Sequence, residues 1–324
     1  MDGVPWIFVE SVTRSFRECE SCEWLQDLSS AWGAMGEVHS KKRGGLLLTF
    51  APYNGDKKDW RLHYKIEDFE HIKTKTLSRE VVREMAKSIE YIMFNLSYFY
   101  DVDERWHNIN SNDVDQLRLL INLDAPVKML DTSCFNNIIE LSRYVELRSK
   151  YSDLFTSFTS VVLQCFEDTR LMEKTISEPR VRSVEIWDTE ELDRPTSYWV
   201  DLFFSEKCSK LFLNFKDIGV VSDVIDRWKN MDTRNQGCAD YPYIKAISGI
   251  RCSNEDVVGV GMREVDVESR TPALEMVRTE IKRYGHIKSL HSIDHPVDPS
   301  SKIYVVFFNY CHYSTNDNVV LICI

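Results

Sequence analysis

Glycine and proline are scarce in this chain, with 12 Gly and 9 Pro in 324 residues, about half the usual share of each. The shortage counts against a glycine-built phosphate cradle and against a β-sandwich with many tight turns. Cations are also in deficit. Lys plus Arg number 40 against 51 Asp plus Glu, a formal net charge of −11, whereas a general nucleic-acid binder needs a basic surface to neutralise phosphates. Long apolar runs are missing: 303–308 and 319–324 fall far short of the ~20 residues that span a bilayer. The start, Met1-Asp2-Gly3-Val4-Pro5-Trp6, lacks the basic and apolar regions of a secretory signal. The nine cysteines are an odd number and scattered, as reduced thiols would be. These absences predict a soluble cytoplasmic or nuclear protein with no membrane and no nucleic-acid partner.

What is present is apolar and aromatic content, 43% and 12%, enough for one large or two ordinary domains. In residues 1–44 the positions Val4, Phe8, Val12 and Phe16, then Leu25, Leu28, Trp32 and Met35, follow the spacing of two short amphipathic helices. Lys41-Lys42-Arg43-Gly44-Gly45 ends that pattern with cations and then glycine.

From residue 45 to 324 short strands alternate with helices, an α/β pattern. Strands are expected at Leu46–Phe50 and Trp60–Ile66, with further ones starting at 127, 161, 184, 210 and 244. A strand plus helix per interval of that size overlaps the unit length of leucine-rich and related α/β repeats, so an irregular leucine-rich-repeat-like array is expected. Ser78–Tyr100 reads as one helix with a stripe of Val81, Met85, Ile89, Ile92, Met93, Leu96 and Phe99, placing the Asn95-Leu96-Ser97 sequon on its apolar side. Another helix starts at Thr271-Pro272 and stops before Gly285, and strands follow at 302–310 and 318–324. Trp187, Trp199 and Trp228 lie in apolar periodic segments and are expected in the core.

Chemistry-bearing residues are sparse. Cys19-x-x-Cys22 has the spacing of a zinc or redox pair, but no second ligand pair is near. Its neighbours Glu18, Glu20 and Glu23 would raise thiol pKa values, so incidental loop thiols are expected. His286, His291, His295, Cys311 and His312 do not match metal-ligand spacings and read as surface loop histidines. Gly259-Val260-Gly261 lacks the third glycine of a dinucleotide site. The acidic stretch with Asp188, Glu190 and Glu191 is not spaced as a calcium loop and reads as solvated. Phosphate-loop, nucleophile-elbow and EF-hand signatures are absent. No cofactor or metal and no catalytic residue is expected.

The order Val4-Pro5, Phe8, Val12, Phe16, Leu25, Leu28, Trp32 resembles an F-box. That motif opens with Leu-Pro and reaches a Trp some 28 positions on; here Val4 stands in the Leu place, and Val4 to Trp32 is 28 positions. In style the chain is similar to the nematode-type family of F-box-like proteins, in which a Val-Pro opening leads into an α/β region. The resemblance rests on Val4-Pro5-Trp6-Ile7-Phe8, Leu28-Ser29-Ser30-Ala31-Trp32-Gly33 and Asp226-Arg227-Trp228-Lys229. It implies a non-enzymatic adaptor whose N-terminal helices bind the adaptor subunit of a cullin-RING ubiquitin ligase through those eight residues, while the α/β region recruits a target protein. Two other readings are a structural or recognition protein in which residues 1–44 merely cap the array, and a metal enzyme using the C-terminal histidines.

Overall fold

The structure is a computed structural model. It describes residues 31–53, 56–96, 102–109, 114–132, 138–163, 169–187, 194–215, 218–231, 244–282, 285–298, 300–310 and 318–324. The chain divides into two compact units, Met1–Val162 with Ser177–Arg180, and Leu163–Ile176 with Val181–Ile324.

The first unit contains α1 (Ala31–Lys42), β1 (Gly44–Tyr53), β2 (Asp56–Asp68), α2 (Arg79–Met85), β3 (Ile89–Asn95), β4 (His107–Ile109), α3 (Val114–Asn122), β5 (Val127–Asp131), α4 (Ile138–Lys150), α5 (Ser152–Phe155) and β6 (Ser160–Leu163). The Lys41–Gly45 segment does separate helix from strand. The strand order is β4-β2-β1-β3-β5-β6. β2 runs antiparallel to β1 and β4, and β1, β3, β5 and β6 are mutually parallel. Gly45 has a steric role: a Cβ there would lie 2.2 Å from the Tyr91 ring.

The expected helix over 78–100 is corrected. Ser78 does cap a helix, its hydroxyl accepting the Val81 N–H at 3.2 Å, but the helix stops at Met85 and the chain re-forms as β3. Ile92, Phe94 and Leu96 are buried at a spacing of two, and Asn95, buried, ends the strand rather than lying on a helix. A parallel strand in the middle of a sheet reads as a dense apolar run, and such a run fits a helical stripe by accident when it follows a true helix.

The second unit contains α6 (Thr169–Ile176), β7 (Ser183–Ile186), α7 (Thr196–Phe204), β8 (Lys210–Phe215), α8 (Gly219–Lys229), β9 (Lys245–Ile250), α9 (Asn254–Gly259), β10 (Arg263–Glu264), α10 (Pro272–Ile281), β11 (Gly285–Asp294), β12 (Lys302–Tyr310) and β13 (Asn318–Cys323). β7, β8 and β9 are parallel neighbours. β9 then continues antiparallel through β13, β12, β11 and β10. Gly249 has φ +82°, and a Cβ there would approach the Leu213 carbonyl oxygen to 2.0 Å, so this position takes no other residue without moving β8. Thr271 caps α10 by accepting the Leu274 N–H at 3.3 Å, with Pro272 in its first turn. Gly285 opens β11 instead of closing that helix.

β11 is a strand where loop histidines were expected. His286 is exposed, but His291 on β11 and His295 just beyond it are each only 3% exposed. The strand escapes a period-two reading because its register shifts between Ile287 and Ser289, an irregularity that breaks the alternation.

Candidate functional site

In both units one face of the parallel-stranded part is fully buried, while on the other face buried positions such as Thr49, Asn95 and Val162 stand beside half-buried ones among the described residues. In the first unit Leu46, Leu48, Ile92, Phe94, Lys128 and Leu130 are fully buried. Phe94 meets Phe155 and Phe158 at ring-centroid distances of 6.4 and 6.0 Å, so α5 and the turn after it cover that face. The alternate residues face the other way. Leu47, Met93 and Met129 are in register across β1, β3 and β5 and are half-buried. Tyr91 is also half-buried and aligns with Val127, which is 44% exposed. Parallel sheets are normally covered on both faces, and this row of Leu and Met is only half-buried among the described residues.

The second unit repeats the arrangement. Val184, Ile186, Leu211, Leu213 and Ile247 are buried. Lys245 places α7 on their side, its Nζ donating to the carbonyls of Phe203 and Ser205 at 2.9 and 2.6 Å. On the opposite face α10 covers the antiparallel part through Leu274, Val277 and Ile281 against Ala246, Val306, Val320 and Ile322. That cover ends at Lys210, whose ammonium binds Glu280 of α10 at 2.5 Å. Beyond it Glu185, Phe212 and Asn214 are half-buried, and Trp187 is 49% exposed with its ring 5.0 Å from that of Phe212. The Asn214 amide donates to the Trp187 carbonyl at 2.9 Å and fixes the main chain there. The expectation that Trp187 is a core residue is thereby corrected, while Trp199 and Trp228 are buried. Trp187 lies two residues after Glu185 and so shares its half-exposed side.

The covered faces hold one unusual group. Lys128 is fully buried, and its Nζ donates to the carbonyls of Leu120, Ile121 and Leu123 at 3.0, 3.0 and 3.1 Å. It binds the orphan carbonyls at the end of α3. Burial pushes its ammonium down to about 8, but with three carbonyls bound it works as a cap and not as a catalytic base.

The other candidates separate. His295 is held by its ring, Nε2 at 3.1 Å from the Trp228 carbonyl and Nδ1 accepting the N–H groups of Val297 and Asp298 at 3.2 Å each. His291 packs edge-on to Phe307. Among the described residues no group of three His, Cys, Asp or Glu could hold a metal ion; Cys311 and His312 lie outside them. Burial pushes the thiols of Cys208, Cys252 and Cys323 up to about 11, 12 and 12, which makes them poor nucleophiles. Gly259 ends α9 and Gly261 turns the chain at φ +88°. A cleft of about 720 Å³ beside α10 is lined by Arg270, Arg278, Lys282 and His286 among others. Its Arg278 is occupied by Glu275 and by the Val267 and Ser269 carbonyls.

Thr49 and His63 are buried neighbours across β1 and β2. Thr49 Oγ1 and His63 Nε2 have no hydrogen-bond partner among the described residues. Burial lowers the pKa of His63.

Of the residues expected to bind a ligase adaptor, Val4, Pro5, Phe8, Val12, Phe16, Leu25 and Leu28 lie outside the described residues, as do Cys19 and Cys22. Trp32 is on α1, half-buried, with its indole Nε1 enclosed. No helix among the described residues is long and apolar enough to cross a membrane. In comparisons with known proteins, no protein-family model, curated protein or solved structure matches the chain.

Proposed function

We propose that the chain is a non-enzymatic adaptor. Residues 1–44 act as an F-box-like segment that binds the adaptor subunit of a cullin-RING ubiquitin ligase, and a leucine-rich-repeat-like α/β region recruits a target protein. The observation that carries the recruiting half is a sheet face that is only partly buried among the described residues, with Leu47, Met93 and Met129 half-buried in one unit and, in the other, Phe212 half-buried beside the exposed Trp187. Apolar and aromatic side chains on an otherwise acidic surface are the composition of a protein-binding patch. Successive parallel strands joined by helices, as in β3, β5 and β6 and again in β7, β8 and β9, support the repeat-like reading. The ligase half rests on the Val4-Pro5 to Trp32 spacing.

The full-length chain should co-purify with the adaptor subunit, and the double variant Pro5→Ala, Trp32→Ala should lose at least tenfold in affinity while still unfolding in one cooperative transition. A folded protein that does not bind the adaptor removes the ligase half. The recognition role without ligase coupling is then the reading that the half-exposed sheet supports.

A further inference from the structure

We propose that the cleft beside α10 binds an acidic segment of a partner protein in extended form, along the open outer edge of β11. The inference goes beyond the recruiting role above and uses neither Trp187 nor residues 1–44. On one side β11 is paired with β12, from Gly285↔Tyr310 to Asp294↔Lys302. On the other side β10 meets it only at Arg263↔Ser292 and Glu264↔His291, with one further bond from the Val265 N–H to the Leu290 carbonyl at 2.8 Å. Among the described residues no strand takes the outer edge of Gly285, His286 and Ile287. A free strand edge offers its N–H and C=O groups to an added chain.

The cleft begins where the chain leaves that edge. Its volume of about 720 Å³ is bounded by the 267–270 segment, by α10 and by Gly285, His286 and Ile287, and such a volume suits a bound ligand. Arg278 of α10 donates to the Val267 and Ser269 carbonyls, so one wall of the cleft is tied to the other.

Charge selects the occupant. Arg270 and Lys282 line the cleft, are exposed, and have no side-chain partner among the described residues. Of the two carboxylates that line it, Glu275 is bound by Arg278 at 2.5 Å, which leaves Glu268 against two unpaired cations. A chain paired with β11 projects every second side chain to one face, so alternate carboxylates can meet these cations without breaking the pairing. General attraction does not imitate such binding, because a chain of net charge −11 repels an acidic peptide except at a local cationic site.

The test is fluorescence anisotropy of the full-length chain with labelled acetyl-(Glu-Val)₃-amide at 0.15 M salt. Arg270→Gln and Lys282→Gln should each lose about threefold in affinity and the double variant about tenfold, as for exposed ion pairs. Both side chains are exposed, so the variants should keep the wild-type thermal midpoint. Glu268→Gln should bind about twofold more tightly. The same peptide N-methylated throughout keeps its charge but cannot donate to a strand edge, and should lose about tenfold. Inorganic sulfate at the concentration of the probe should not displace it. No binding by wild type, equal binding by wild type and the double variant, undiminished binding of the N-methylated probe, or displacement by sulfate would overturn the proposal. Adaptor binding reads residues 1–44, so either result stands without the other.

Discussion

Lys128 in the first unit and Lys245 in the second solve the same problem under different degrees of burial. Each binds carbonyls at the carboxyl end of a helix, α3 and α7, where a glycine-rich chain would use a left-handed cap. Lys128 is fully enclosed and holds three carbonyls. Lys245 is half-buried and holds two. With 12 Gly in the whole chain, the ends of α3 and α7 are closed by cations reaching from strands. The covered face of each sheet is therefore polar at its rim, while the half-exposed face carries Leu, Met, Trp and Phe.

The largest effect should come from removing the enclosed cation. Lys128→Met leaves three buried carbonyls without a donor and is expected to cost about 3 kcal/mol in denaturant unfolding. Lys245→Met should cost about 1 kcal/mol, because solvent reaches the carbonyls it leaves. Equal losses would break the comparison.

A second contrast lies between the faces. Leu213→Ala on the covered face of β8 should cost about 3 kcal/mol, and Phe212→Ala, its half-buried neighbour on the other face, about 1 to 2 kcal/mol, since less of its surface is removed from water. A Phe212→Ala loss as large as that of Leu213→Ala would mean that both faces are covered.

The pH dependence of stability gives a third. The folded pKa of Lys128 is pushed down to about 8, below the ~10.4 of an unfolded lysine. Between those values the unfolded chain holds a proton that the folded chain has released, so stability rises with pH across that window, by up to about 3 kcal/mol. Other groups titrate there too, so the measured quantity is the difference between wild type and Lys128→Met. A difference independent of pH from 8 to 10 would contradict the assignment. The smallest effect should be that of Trp187→Ala on stability, within about 0.5 kcal/mol, because the ring is 49% exposed.

Much of the architecture was legible from the sequence because the parallel strands carry local signals. The strands expected to start at 127, 161, 184, 210 and 244 begin at Val127, Ser160, Ser183, Lys210 and Lys245. The Thr271-Pro272 cap was legible for the same reason. The errors arose where local and tertiary signals diverged. Ile89–Asn95 was read as helix because burial on a central strand leaves few polar residues to mark the period. β11 was missed because its register shift breaks the alternation. Trp187 was assigned to the core because it lies in an apolar periodic segment, whereas it follows the last residue of β7 and is 49% exposed. Lys128 carried no mark at all, since its role depends on the end of α3 reaching it through the fold. The half-exposed row of Leu47, Met93 and Met129 emerges only when the strands are set in register.

Hydroxyl-radical footprinting of the native full-length chain, read residue by residue by mass spectrometry, tests the partly buried sheet face most directly. Met93, Met129 and Trp187 are half-buried or exposed, whereas Met85, Met172, Trp199 and Trp228 are buried. The account predicts that the first three are oxidised several times faster than the other four. Protection of Met93, Met129 and Trp187 equal to that of Met85 and Trp199 would show the second face covered and would remove the recruiting surface.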